Sequence, residues 1–183
     1  QKPGFVGIPA GPEVCIMDNN NKILNQGEEG EVCIKGENVT SGYENNPDAN
    51  KNSFSDGWFR TGDQGYFDKD GYLKISGRLK EIINKGGEKI SPLEVDNILM
   101  DHPNIEQAVC FGYEDKMLGE DIATAIIIKE GMQCTEDDIK IYANEKLAKF
   151  KIPKKIFFVN EIPKGATGKL QRNTLAKKFG LVN

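Results

Sequence analysis

A chain of 183 residues suffices for one medium domain or two small ones, and 38% hydrophobic with 28% charged residues is an ordinary globular balance. A net charge of −4 removes the electrostatic case for nucleic-acid binding by the chain as a whole. No apolar run approaches membrane-spanning length, the longest being Ala123 to Ile128, and no leader peptide is visible.

The first third reads as β structure. Pro12 to Asp18 and Gly30 to Gly36 are short β-prone runs bounded by turn residues, with a turn at Asn19 to Lys22 between them. Gly65 to Phe67 and Tyr72 to Ser76 flank Asp68-Lys-Asp-Gly71, a hairpin signal with glycine where positive φ is wanted. The pattern changes after Gly77-Arg78. Ser91-Pro-Leu-Glu94 has the form of a capping box with proline at the first helical position, and Pro103 closes that helix from outside. Ile105 to Phe111 is β-like, and Ala123 to Lys129 suits a buried strand. Thr135-Glu-Asp-Asp138 caps a second helix carrying Ile139, Ala143, Leu147 and Phe150. Ile156 to Val159 reads as a strand and Leu170 to Phe179 as a last helix. The expectation is an α+β protein in two parts, residues 1–77 as a small β-rich sheet or barrel and residues 78–183 as a mixed α/β domain, with a hinge near 77–80.

Charge is uneven along this frame. Between Lys146 and Lys178 lysine or arginine stands at ten positions against Glu161 alone, so that end attracts anions such as phosphates. Within it lies Ile162-Pro-Lys-Gly-Ala-Thr-Gly-Lys169, a glycine-rich loop carrying a lysine. It is no Walker loop: only two residues separate Gly165 from Gly168-Lys169, and Leu170 follows where Ser or Thr is required. The plain alternative is a solvated surface turn. Cys15, Cys33, Cys110 and Cys134 form no Cys-x-x-Cys pair and His102 is the single histidine, which argues against a zinc site; scattered thiols suit a reducing compartment.

Three stretches decide between the readings: Gly57-Trp-Phe-Arg-Thr-Gly-Asp63, the run from Gly77 to Glu94, and Ile162 to Lys169. In this order and spacing they resemble the adenylate-forming (AMP-binding) enzymes, which include acyl-CoA synthetases, adenylation domains and luciferases. The resemblance runs over the whole chain but covers only the C-terminal part of such an enzyme. It implies that the chain is the end of a large AMP-binding domain followed by the mobile C-terminal domain of the acyl-CoA synthetase fold. Opening at Gln1 rather than Met agrees with a fragment.

The resemblance also distributes roles. Asp63 would bind the ribose of the nucleotide, with support from Arg78 and Lys89. A carboxylate can accept hydrogen bonds from two vicinal hydroxyls, although an Asx-turn cap is the ordinary use of such a residue. Lys80 would be the hinge about which the small domain turns. Gly86 and Gly87 would line the tunnel for the pantetheine arm of CoA, where absent side chains let backbone approach a ligand; otherwise they make a simple turn. Lys169 would be catalytic, its ammonium set between the acyl carboxylate and the α-phosphate of ATP.

The implied reaction uses ATP, Mg2+ and CoA to make an acyl-AMP and then a thioester, with the metal bound mainly by residues upstream of Gln1 and none assigned here. The upstream phosphate loop is likewise missing, so the fragment alone is expected to be inactive. Lys80, where peptide-synthetase adenylation domains typically carry aspartate, favours an acid–thiol ligase acting on CoA. The stretches Phe59 to Gly65 and Asn84 to Asp96 are similar to the oxalate-CoA ligase and 4-coumarate-CoA ligase-like group. The alternatives are a non-catalytic module retaining the fold, or an adenylation domain serving a carrier-protein thiol. The partners expected are a small carboxylic acid, ATP, CoA and the rest of the large domain, with no nucleic acid and no membrane span. Leu181-Val-Asn183 is no peroxisomal signal, so a cytoplasmic location is expected.

Overall fold

The computed structural model describes residues 2–165, 168 and 170–181. Contacts divide the chain into two compact units, Gln1–Lys80 and Glu81–Asn183.

The first unit is an antiparallel sheet. Its strands are β1 (Glu13–Met17), β2 (Gly30–Lys35), β3 (Phe54–Ser55), β4 (Trp58–Phe67) and β5 (Leu73–Arg78). The order is β1-β2-β4-β3, and β5 also pairs with β4. Alternate residues of β1 serve opposite faces, as a period of two requires. Cys15 and Met17 pack with Cys33 and Trp58, while Ile16 packs with Val32 and Leu73. The turn expected at Asn19 to Lys22 is built by Asp18, whose Oδ1 accepts the N–H groups of Asn20 (2.8 Å) and Lys22 (2.9 Å). Asp68 repeats the device between β4 and β5, accepting from Asp70 (3.0 Å) and Tyr72 (2.9 Å). A short helix, α1 (Pro47–Ser53), was not read from the sequence; it buries no residue and is held by Asn46, whose side chain caps Ala49 N–H at 3.1 Å.

The second unit carries a second sheet with helices on it. Its elements are β6 (Ile83–Lys85), β7 (Glu88–Ile90), α2 (Pro92–Met100), β8 (Ile105–Asp115), β9 (Gly119–Ile128), α3 (Glu136–Lys146), β10 (Lys155–Phe158) and α4 (Leu175–Lys178). Strand β9 is the organising element. It pairs with β8 along the length of both, runs parallel to β10 after the α3 crossover, and meets β6 at Gly119. One set of side chains, including Ala108, Cys110, Ile122 and Ile126, packs with Val95 and Leu99 of α2 and Ile139 and Ala143 of α3. The alternate set, including Val109, Phe111, Ala123 and Ala125, packs with Ile162 and Leu175. Both faces are covered, which is why β8 and β9 read as nearly continuous apolar runs. Phe179 seals the second face, its ring 5.5 Å from Phe111 and 4.7 Å from Phe157.

Three expectations need correction. The helix expected to carry Phe150 ends as α3 at Lys146 and leaves Phe150 to a separate 3-10 turn, Lys149–Lys151. The Thr135–Asp138 capping box forms in full at α3, but at α2 the Ser91 side chain makes no cap hydrogen bond. Glu94 turns instead to Lys151, whose Nζ lies 2.6 and 2.7 Å from its two oxygens. The helix expected over 170–179 shrinks to one 3-10 turn, Arg172–Thr174, and α4. Leu170 is committed to a bridge with Lys164, and Gln171 takes φ −119° and ψ 81°, so helical geometry cannot begin before Arg172.

Candidate functional site

Asp63 lies within β4, where the strand kinks. Gly62 takes φ +74°, a left-handed conformation open to glycine at little steric cost. Thr61 fastens this kink: its hydroxyl donates to Val32 O at 2.8 Å and accepts from Asp63 N–H at 3.1 Å. Asp63 is the cross-strand partner of Arg78, whose Nε sits 3.0 Å from its Oδ1. Both side chains keep solvent access, Asp63 less than Arg78. The carboxylate is therefore oriented by a cation while remaining open to a ligand, which suits an acceptor for hydroxyl groups.

Lys80 stands in a single 3-10 turn, Leu79–Glu81, and is exposed. It is the last residue of the first unit. Gly86 and Gly87 form the tip of the β6–β7 hairpin with φ +61° and +94°, the signs a tight two-residue turn requires. A Cβ on Gly87 would meet nothing within 4 Å, whereas one on Gly86 would stand 3.4 Å from Leu118 Cδ2. The hairpin is fastened to the β8–β9 turn and the start of β9 at three points. Gly86 N–H donates to Leu118 O at 2.7 Å, Asn84 N–H to Glu120 Oε2 at 2.7 Å, and Lys85 Nζ reaches the buried Asp121 Oδ1 at 2.6 Å. Lys89, exposed, pairs across the hairpin with Asn84.

The loop of Ile162 to Lys169 is described in part. The bridge Lys164–Leu170 closes its base, and Gly168 N–H donates to Gly165 O at 2.9 Å. Lys169 itself lies outside the described residues. Just beyond the loop, Arg172 enters the protein and is only 8% exposed. Its Nη1 donates to Asp96 Oδ2 (2.8 Å) and Cys110 O (2.7 Å), and its Nε to Glu81 Oε2 (3.1 Å). Asp96 also accepts the Cys110 N–H. Burial pushes the Asp96 carboxyl above its usual range, and the Arg172 charge and the Cys110 amide pull it back. The second unit thus gathers its first residue, α2, β8 and the end of the loop on one guanidinium. Sequence reading counted Arg172 only among the basic residues and passed over Asp96; the one available signal was an acidic residue midway along an otherwise apolar helix stripe.

Asp63 and Arg78 are brought together in one unit, and Gly86, Gly87 and Lys89 share one hairpin of the other. No cluster of three or more His, Cys, Asp or Glu able to hold a metal ion occurs among the described residues.

Residues 94–169, from Glu94 in α2 through the loop, match the model of the AMP-binding enzyme C-terminal domain. The chain is 53% identical to an oxalate–CoA ligase of Arabidopsis thaliana over 178 residues, 97% of this chain and 35% of the relative. An oxalate–CoA ligase of Saccharomyces cerevisiae is 51% identical over 181 residues, 98% of this chain and 33% of that protein. ATP-bound MatB from Rhodopseudomonas palustris superposes with a TM-score of 0.90 at 32% identity, over 97% of this chain and 36% of its own. The Bacillus subtilis o-succinylbenzoate CoA synthetase, solved with its acyl-adenylate intermediate, gives a TM-score of 0.87 at 36% identity, over 95% of this chain and 36% of its own. The chain spans about a third of the length of the curated relatives it matches.

Proposed function

We propose that this chain is the C-terminal part of an AMP-forming acid–CoA ligase that activates a small carboxylic acid and passes it to CoA. The observation that carries the reading is identity above 50% with two oxalate–CoA ligases over nearly the whole chain. Oxalate is accordingly the first acid to test.

In the first half-reaction a carboxylate oxygen attacks the α-phosphorus of ATP, and pyrophosphate leaves. Asp63, held by Arg78, accepts the ribose hydroxyls and fixes the nucleotide for in-line attack, with Lys89 as a further nucleotide contact. Lys169 places an ammonium between the two approaching anions, offsetting their repulsion as charge builds in the transition state. In the second half-reaction the CoA thiol attacks the acyl carbon and AMP departs. The second unit turns about Lys80, withdrawing Lys169 and presenting the Gly86–Gly87 tip, where the lack of a side chain on Gly87 leaves room for a slender pantetheine arm. ATP would bind as substrate, with the Mg2+ that accompanies it held mainly by residues upstream of Gln1. Residues 1–77 are read as the end of the large AMP-binding domain and 78–183 as the mobile domain. Four unpaired cysteines suit a reducing compartment, and on that ground we place the enzyme in the cytoplasm.

The test separates the two halves in the full-length enzyme. In Lys169→Ala, pyrophosphate exchange should fall by about a hundred- to a thousandfold, the scale of one lost transition-state donor. Conversion of synthetic acyl-AMP and CoA to thioester should persist. Lys80→Pro, which fixes φ near −65°, should spare exchange and depress thioester formation. Equal loss of both halves in both variants would reject the assignment of roles.

A further inference from the structure

We infer that Glu31, a buried carboxylate on β2, is the positioning residue for the ribose-binding kink around Asp63; the inference rests on the nucleotide reading of Asp63 given above. Glu31 is 7% exposed and stands 32 residues before Asp63 in the sequence, so nothing local ties the two. A charged side chain so deep in a sheet is costly unless fully engaged. Here both oxygens are. Oε1 accepts the Gly62 N–H at 3.0 Å, and Oε2 accepts the Arg60 Nε–H at 2.7 Å, with Arg60 Nη2 closing the ion pair. Arg60 is in turn held by the Asn21 side chain.

The reason for this arrangement is the irregular ladder. Pairing of β2 with β4 runs Glu31 opposite Gln64 and then Cys33 opposite Arg60, so the register shifts and β4 carries surplus residues opposite Val32. Such a bulge takes backbone groups out of the ladder. Side chains take them up instead. Glu31 receives the Gly62 amide, while the Thr61 hydroxyl serves both Val32 O and Asp63 N–H. One carboxylate therefore grips the backbone on the Asp63 side and the guanidinium on the other, and sets the direction in which Asp63 leaves the sheet. Glu31 does not approach the ligand; it acts through Gly62.

A residue that only stabilises the sheet would, when changed, lower stability and leave ribose recognition intact. A positioning residue changes recognition itself. In the full-length enzyme, pyrophosphate exchange should be measured with ATP, 2′-deoxy-ATP and 3′-deoxy-ATP, beside melting temperatures. Two variants are used: Glu31→Gln, which keeps the shape but puts an amide before two donors, and Glu31→Asp, which keeps the charge but cannot reach both. Asp63→Ala is the control. The intact enzyme should prefer ATP by about ten- to a hundredfold, the scale of one hydrogen bond to a charged group. In the Glu31 variants and in Asp63→Ala this preference should collapse towards one, with the loss in KM for ATP exceeding that in kcat. If either folded Glu31 variant keeps the full preference while Asp63→Ala loses it, the role of Glu31 is rejected and the reading of Asp63 stands. If Asp63→Ala keeps the preference, both fall together.

Discussion

Arg172 is the residue on which Glu81, α2 and β8 converge, and its removal tests how far a buried ion pair holds the second unit together. Deleting one member of a buried pair strands the other, at a typical cost of about 3–5 kcal/mol. Arg172→Met should therefore destabilise the protein strongly in urea unfolding. Asp96→Asn added to it should recover part of the loss, because the stranded charge is gone and the Cys110 N–H keeps an acceptor. Simple additivity of the two changes would show that the pair is not coupled. Neither residue was legible as a partner of the other in the sequence. Asp96 and Arg172 lie 76 positions apart, as Glu31 and Arg60 lie 29 apart, and a charged residue alone reads as solvent-facing. Asp63, Arg78, Gly86 and Gly87 are singled out only by ordered motifs, and their roles stay proposals; no pattern of burial or periodicity would have selected them.

At the scale of elements, legibility followed burial. Strands β8 and β9 announced themselves as apolar runs because both faces are covered, and α3 announced its start through Thr135 and Asp138. Helix α1 did not, since it buries nothing and so carries no periodicity. The short last helix was overestimated because the commitment of Leu170 to Lys164 is a contact, not a propensity. The turn between β8 and β9, which props the Gly86–Gly87 hairpin, has its own acid signature. Asp115 accepts from Lys154 Nζ at 3.0 Å and from the N–H groups of Met117 (3.0 Å) and Leu118 (3.1 Å). The Lys154 hydrogen bond first, and the two amides after it, pull its pKa down to about 2 from 3.8. A depressed carboxylate contributes stability that is present above its unfolded pKa and lost as pH falls through the folded one. Unfolding midpoints should thus fall between about pH 4 and pH 2, and in Asp115→Asn that segment of the profile should flatten. An unchanged slope in the variant would show that other carboxylates set the acid limit.

Over the whole molecule, each unit owns its sheet and its buried clusters, and the chain passes from one to the other once, between Lys80 and Glu81. A boundary of this kind is where proteases gain access. Brief trypsin treatment should cut first between Arg78 and Lys85, releasing a piece that begins near Glu81 and keeps the β8–β9 ladder and its circular-dichroism signal. A resistant core spanning residues 78–85 would count against independent units. The single passage has a meaning beyond mechanics. Because, among the described residues, neither sheet borrows a strand from the other unit, one genetic crossover at codon 80 would exchange the entire second unit between related chains, carrying the lysine loop, the glycine hairpin and the Arg172 junction as one heritable package. On the roles proposed above, the residues assigned to the thiol can then be inherited separately from those assigned to the ribose.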